Sequence, residues 1–165
     1  MDEAWELRVA SAWATFDERS DDENRALIDA LAAELPPGSA VASFERACVF
    51  DSTARSDLAV PLYREALECG LTAERRRRAV IQLASSLRNI GEAGESVALL
   101  MEELSRESDE LDDAVRAFLA LALADLGRER EALAHALTAL APRLPRYQRS
   151  LAAYADELVD GPRGT

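Results

Sequence analysis

The sequence predicts an all-α fold, an α-α superhelix of stacked helical hairpins, and three observations carry that expectation. Ala, Leu, Glu and Arg dominate the 165 residues, with only 7 Gly and 6 Pro, which favours helix and supplies few breakers. Apolar residues recur at helical spacing in one segment after another. The segments also repeat: Leu83, Ala84, Leu87 and Gly91 stand 36 residues before Leu119, Ala120, Leu123 and Gly127. One hairpin cannot bury its apolar faces alone, whereas three or more in a stack share a continuous core.

Each element follows from its stripe and its punctuation. Residues 1–37 read as an N-terminal helix pair. The first helix carries Trp5, Val9, Ala12, Trp13 and Phe16, spacing that puts them on one face. Asp21 or Asp22 is expected to cap the second helix, whose stripe is Leu27, Ile28, Leu31 and Leu35. Pro36-Pro37-Gly38 then stops it.

Residues 39–142 read as three hairpins. Ser39 opens a helix with Val41, Phe44, Ala47, Cys48 and Phe50, and Leu58, Ala59, Leu62, Tyr63, Ala66 and Leu67 form its partner. Pro61 lies inside that partner, which calls for a bend or a later start. Gly70 is expected to close the helix and Thr72 to cap the next. Val80, Leu83, Ala84, Leu87 and Ile90 form the third stripe, and Val97, Leu100, Met101 and Leu104 the fourth. Val115, Phe118, Leu119, Ala122, Leu123 and Leu126 follow, then Ala132, Leu133, Ala136, Leu137 and Leu140. Residues 145–160 read as a C-terminal capping helix with Tyr147, Leu151, Tyr154, Ala155 and Leu158 on its stripe. Gly161-Pro162-Arg163-Gly164 reads as a frayed tail.

The 36-residue register extends into the second helices, pairing Val97 with Leu133 and Leu104 with Leu140. Small residues fall where helices cross closely: Ala47, Ala84 and Ala120 in first helices, Ala59, Ser96 and Ala132 in second ones. Gly91 and Gly127 turn two of the hairpins; the first has Ala54 near that point and is expected to have a longer loop. These features resemble tetratricopeptide repeats, whose period is ~34. The closer likeness is to the group-5 class of small bacterial tetratricopeptide proteins, carried by Phe44-Glu45-Arg46-Ala47, Asp51-Ser52, Ala59 to Leu67, Ile81 to Arg88 and Phe118 to Leu121. The resemblance implies a non-catalytic module binding a protein or peptide partner, and a possible homodimer. It implies no cofactor.

Charge and motifs bound the function further. The formal net charge of −12 repels phosphate backbones and argues against a general nucleic-acid partner. Every basic residue apart from His135 is Arg. Cys48 and Cys69 do not form a metal-ligand spacing. The start, with Asp2, Glu3 and Glu6, does not resemble a secretory leader, and no run approaches the ~20 apolar residues of a membrane span. A reducing cytoplasm with both thiols free is the expected compartment. His135 has neither a nucleophile nor a cleft apparent beside it, and no phosphate loop, nucleophile elbow or His-Glu-x-x-His motif occurs. The chain is therefore expected not to be an enzyme, and Glu102-Glu103 reads as a solvated helix face.

In tetratricopeptide stacks the first helices line a groove. Carried over by position, that places Phe44, Cys48, Asp51 and Ser52 on it from the first repeat. The second repeat supplies Arg78, Ile81, Ser85, Arg88 and Asn89, and the third Ala114, Ala117, Leu121, Ala124 and Asp125. One reading is a groove for an extended or helical peptide, with Arg88 meeting a carboxylate. The other is that Arg88 pairs with Asp51 or Asp125 and the C-terminal helix fills the groove. Gln82, Ser85 and Ser86 either meet a polar ligand or bridge neighbouring helices. The run Arg75 to Arg78 lies at a helix start, where positive charge is disfavoured, so acidic neighbours are expected; the 36-residue register sets Arg76 and Arg77 beside Asp112 and Asp113. Trp5 and Trp13 either form a docking surface or pack on Leu27, Leu31 and Phe44 as a cap.

Overall fold

A computed structural model describes residues 2–160; Gly161-Pro162-Arg163-Gly164 lies outside the described residues. Nine α-helices and no strand occur among the described residues. They are α1 (Glu3–Ala14), α2 (Asp21–Ala33), α3 (Ala40–Ser52), α4 (Ser56–Glu68), α5 (Ala73–Asn89), α6 (Ala93–Leu104), α7 (Asp112–Asp125), α8 (Glu129–Leu140) and α9 (Gln148–Asp160). The chain divides into two compact units, Met1–Ser86 and Leu87–Thr165.

In the first unit α1 packs on α2, α2 on α3 and α3 on α4. Trp5, Val9, Ala12, Ile28, Leu31 and Val49 form a buried cluster, with Trp13, Phe16, Leu27, Leu35 and Val41 packed against it. The Trp5 indole N–H donates to the Leu31 carbonyl at 2.9 Å, so the ring is fully employed as a cap and not as a docking surface. Phe16 leaves α1 for a short 3-10 turn and stacks on Trp13 with ring centroids 5.3 Å apart. The α2 cap is Ser20, not Asp21 or Asp22. Its hydroxyl accepts from the Glu23 N–H while the Glu23 carboxylate accepts from the Ser20 N–H, a reciprocal capping box.

α4 starts at Ser56 and runs through Pro61. The ring sits on the exposed side, where water can take up the Asp57 carbonyl that loses its helical donor. The expected longer loop in the first repeat does not occur. Each of three hairpin turns spans three residues: 53–55, 90–92 and 126–128. In each, one N–H reaches back five residues, from Arg55 to Phe50 at 2.8 Å, Glu92 to Leu87 at 2.9 Å and Arg128 to Leu123 at 3.0 Å. That closure needs a left-handed residue just before the donor. Gly91 (φ 90°) and Gly127 (φ 70°) supply it, and so does Ala54 (φ 57°).

In the second unit α6 packs on α7, α7 on α8 and α8 on α9. Val97, Leu100, Val115, Leu119, Ala122 and Leu123 are buried. Several residues expected in the core are instead exposed, among them Ile90, Met101, Leu126, Leu133 and Leu140. Glu103 also departs from expectation. Glu102 faces solvent, but Glu103 is buried and its carboxylate lies 3.5 Å from the Arg106 Nε. The small crossing residues Ala47, Ala59, Ala84, Ser96, Ala120 and Ala132 are all buried, which lets neighbouring backbones approach.

Candidate functional site

The first helices carry one repeating face, spaced 3-4-3: Val41, Phe44, Cys48 and Asp51 on α3; Arg78, Ile81, Ser85 and Arg88 on α5; Ala114, Ala117, Leu121 and Ala124 on α7. That spacing aligns four side chains along one side of a helix. The three faces are not equally open.

On α3 the face is covered. Phe44 is 0% exposed and Cys48 4%, so neither presents its side chain to a partner, contrary to their placement on a groove wall. The Arg78 guanidinium lies over the Phe44 ring, 5.5 Å from its centroid, a cation–π contact. Phe44 also tilts against Tyr63, centroids 6.2 Å apart. The Cys48 thiol donates to the Gln82 Oε1 at 3.5 Å, and the Ser86 hydroxyl donates to Asp51 Oδ1 at 2.7 Å. Gln82 and Ser86 thus bridge neighbouring helices. Burial pushes the Cys48 thiol up to about 12 and raises the Asp51 carboxyl against its hydrogen bonds from Ser86 and Ser56. A thiol so raised stays protonated at neutral pH and is a poor nucleophile. Ser52 and Arg78 are exposed, and Ser85 half-buried.

Beside this face lies a buried acid that the sequence reading passed over. Glu45 is buried and accepts from the Trp13 indole N–H at 2.9 Å. Its other oxygen lies 3.6 Å from the Arg75 Nε, and Arg75 is held in turn by both carboxylate oxygens of Glu6. Burial raises the Glu45 carboxyl despite the opposing pull of Trp13 and Arg75. The signal was present: Val41, Glu45 and Val49 follow i, i+4, i+8, so the stripe itself turned Glu45 inward. The acids that meet Arg75 are therefore Glu6 and Glu45. In the second unit Asp113 meets Arg143 at 2.8 Å and Asp112 meets Arg116 at 3.7 Å.

On α7 the face is open. Leu121 is 47% exposed, Ala117 and Ala124 are exposed, and Ala114 and Phe118 are half-buried. Beside it Arg88 Nε and Asp125 Oδ2 form an ion pair at 2.5 Å, so Arg88 takes Asp125 as its carboxylate; Asn89 is exposed. α9 packs on α8. Arg116, His135, Thr138 and Asp156 line a shallow cleft between α7, α8 and α9. Burial, with the Arg116 charge adding to it, lowers the His135 pKa, so the imidazole is neutral near pH 7.

The geometry has counterparts in known proteins. A family model described as "Tetratrico peptide repeat" matches residues 40–158, most of the chain. No curated protein matches the sequence. Among solved structures, MamA from MSR-1 is similar, at 19% identity and a TM-score of 0.62, over 95% of this chain and 81% of that one. MamA from AMB-1 is similar at 19% identity and a TM-score of 0.63, over 96% of this chain and 80% of that one. At such identity the likeness concerns the fold alone, and the fold class is the all-α, tetratricopeptide-like hairpin solenoid expected from the sequence.

Proposed function

The chain belongs to the tetratricopeptide repeat family, and from that premise we propose that it is a non-catalytic module gripping one helix of a protein partner on the outward face of α7. The family's fold is an interaction scaffold. The observation that carries the reading is the exposed run Ala117, Leu121 and Ala124, with half-buried Ala114 beside it; of their counterparts on α3, Phe44 and Cys48 are buried and Asp51 is half-buried. The 3-4-3 spacing on α7 is that of a helix–helix seam, and its small residues allow a second helix to approach closely. Phe118 and Leu121 supply the larger apolar contacts, while Arg88 and Asp125 form a polar rim. On the first unit, Asp51, Ser52, Arg78 and Ser85 offer a polar first-helix surface that suits hydrogen bonding to an extended segment. The free thiols of buried Cys48 and exposed Cys69 suit a reducing cytoplasm. No helix among the described residues is long and apolar enough to cross a membrane.

The test is affinity capture from the native host with the intact chain and with Leu121→Glu, with circular dichroism confirming that both are equally helical. The expected result is an interacting protein held by the unmodified chain and lost from the variant. An interactor retained equally by both rejects the α7 face.

A further inference from the structure

The connection from α8 to α9 differs in charge from the rest of the chain. The sequence has 31 acidic and 19 basic side chains, yet residues 132–155 contain no Asp or Glu, the longest such stretch in it. Arg143, Arg146 and Arg149 stand inside that stretch, and all three are exposed. Arg143 is answered by Asp113 of α7 at 2.8 Å. Among the described residues no acid pairs with Arg146 or Arg149. Arg149 lies in the first turn of α9, which holds no acid and where the helix dipole disfavours a positive charge.

Between these two arginines stands Tyr147, held at φ 69°. Six described residues adopt this left-handed conformation; four are glycine and a fifth is Ala54. An aromatic residue rarely does so, because its Cβ crowds the backbone where a glycine meets no penalty. Gly38 and Gly70 serve the same kind of connection, from one hairpin to the next. Burial does not offset the strain, since Tyr147 is 76% exposed. Strain kept at an exposed position is a mark of a binding site and not of a core. The segment is also set firmly. Pro142 and Pro145 restrict its backbone, and the Gln148 side-chain amide donates to the Pro142 and Leu144 carbonyls at 3.3 and 2.8 Å. A surface fixed beforehand loses little entropy on binding.

We infer that Arg146, Tyr147 and Arg149 form a docking site for a short acidic segment of a partner protein. The two guanidinium groups meet its carboxylates, and the Tyr147 ring adds an apolar contact with a hydroxyl at its tip. Charge decides against a nucleic acid. The patch is small and the net charge is −12, so a polyphosphate strand running beyond it would meet acids. The other basic run supplies no second contact: Arg75 is held by Glu6 and Glu45, and Arg78 lies over Phe44. The site shares no residue with the α7 stripe, so either reading can fail while the other stands.

The test is an NMR titration of the isotope-labelled full chain with hexaglutamate at about 10 mM salt, where surface charges act over tens of ångströms. Backbone amide signals should shift saturably, centred on residues 143–151, and the affinity should fall as salt is added. Arg146→Ala and Arg149→Ala should each weaken binding about two- to fivefold. Arg146→Glu combined with Arg149→Glu should weaken it at least about tenfold. Arg130→Glu, at an exposed arginine outside the patch, should change it by less than about twofold. Tyr147→Gly should raise the thermal midpoint by about 2–4 °C by releasing the strain, and yet bind the peptide about two- to fivefold more weakly. A residue present for structure alone would not couple a gain in stability to a loss of binding. No saturable shift at about 5 mM peptide, or shifts centred elsewhere, overturns the inference. So does binding that survives the double reversal, a Tyr147→Gly chain that binds as tightly as its parent, or hexathymidylate binding the patch more tightly than hexaglutamate.

Discussion

Cys48 on α3 and Leu121 on α7 hold the same place in their repeats, and so do Phe44 and Ala117, yet the two units use these positions in opposite ways. In the first unit the face is closed by Arg78 over Phe44 and by Gln82 against Cys48, and a buried acid, Glu45, is tied in beside it. In the second unit the face is short, apolar and open. Among the described residues, nine of the ten large exposed hydrophobic residues lie there, Leu7 being the exception. The comparison teaches that a repeat position fixes direction and not exposure. What covers a side chain is decided by the neighbouring helix.

The sharpest way to break that comparison is to truncate one residue on each face. Phe44→Ala removes a ring that is wholly buried, and should destabilise the protein by about 3–5 kcal/mol. Leu121→Ala removes a side chain already half in water, and should change stability by no more than about 0.5 kcal/mol. Urea unfolding of the two variants measures both. Similar losses would mean that the faces are equally covered.

Much of this was legible beforehand and some could not be. The hairpins, the 36-residue interval, the turn glycines and the inward small residues all follow from periodicity, which is a property of one helix and its own residues. Exposure is not such a property. Leu133 and Leu140 repeat Val97 and Leu104 in sequence, yet both are exposed where Val97 is buried and Leu104 half-buried. Ser20 was legible in principle, since Ser20 and Glu23 form a Ser-x-x-Glu signature, and the acids following Ser20 drew the assignment one residue too far. On the α3 side the sequence put Phe44, Cys48 and Arg78 on one groove wall, but it did not show that Phe44 and Cys48 would be buried or that the Arg78 guanidinium would lie over the Phe44 ring.

The pH dependence of the first unit probes its buried acid. Glu45 has a carboxyl raised above its ordinary value of 4.5, chiefly by burial. A carboxyl raised in the folded state binds its proton more tightly there than in the unfolded chain. Its contribution to stability is therefore greatest below the ordinary value and is lost as the pH rises through the raised one. Glu45→Gln keeps an oxygen to accept from Trp13 and carries no charge to desolvate. Measured by urea unfolding, the variant should gain on the parent chain as the pH is raised from about 4 to 7. A difference that stays constant, or runs the other way, would show that Arg75 outweighs burial at this site.

The hairpin turns allow a smaller and cleaner comparison. Ala54 adopts the left-handed conformation that Gly91 and Gly127 adopt at the same place, and a side chain there costs about 1–2 kcal/mol. Ala54→Gly should stabilise the protein by about 1 kcal/mol, somewhat less than that cost because Gly also loosens the unfolded chain. Gly91→Ala and Gly127→Ala should each destabilise by a similar amount. Thermal unfolding of the three variants tests the equivalence of the turns, and unequal effects from Gly91 and Gly127 would break it.

The smallest effect is expected at Arg88, and it separates the rim of the open face from its centre. The Arg88 and Asp125 side chains are 29% and 40% exposed, so water weakens their attraction and salt screens it. Arg88→Ala should lower stability by roughly 0.2–1 kcal/mol, and the loss should shrink as salt is added. Its consequence for binding is more informative than its consequence for folding. If a partner helix seats on Ala117, Leu121 and Ala124, breaking the Arg88–Asp125 pair frees a rim charge without touching the seam. Arg88→Ala should then leave partner capture nearly intact where Leu121→Glu abolishes it. If instead Arg88→Ala abolishes capture and Leu121→Glu does not, the partner is held by a carboxylate that displaces Asp125. The binding energy of the second unit would then reside in charge, as the polar surface of the first unit would have suggested.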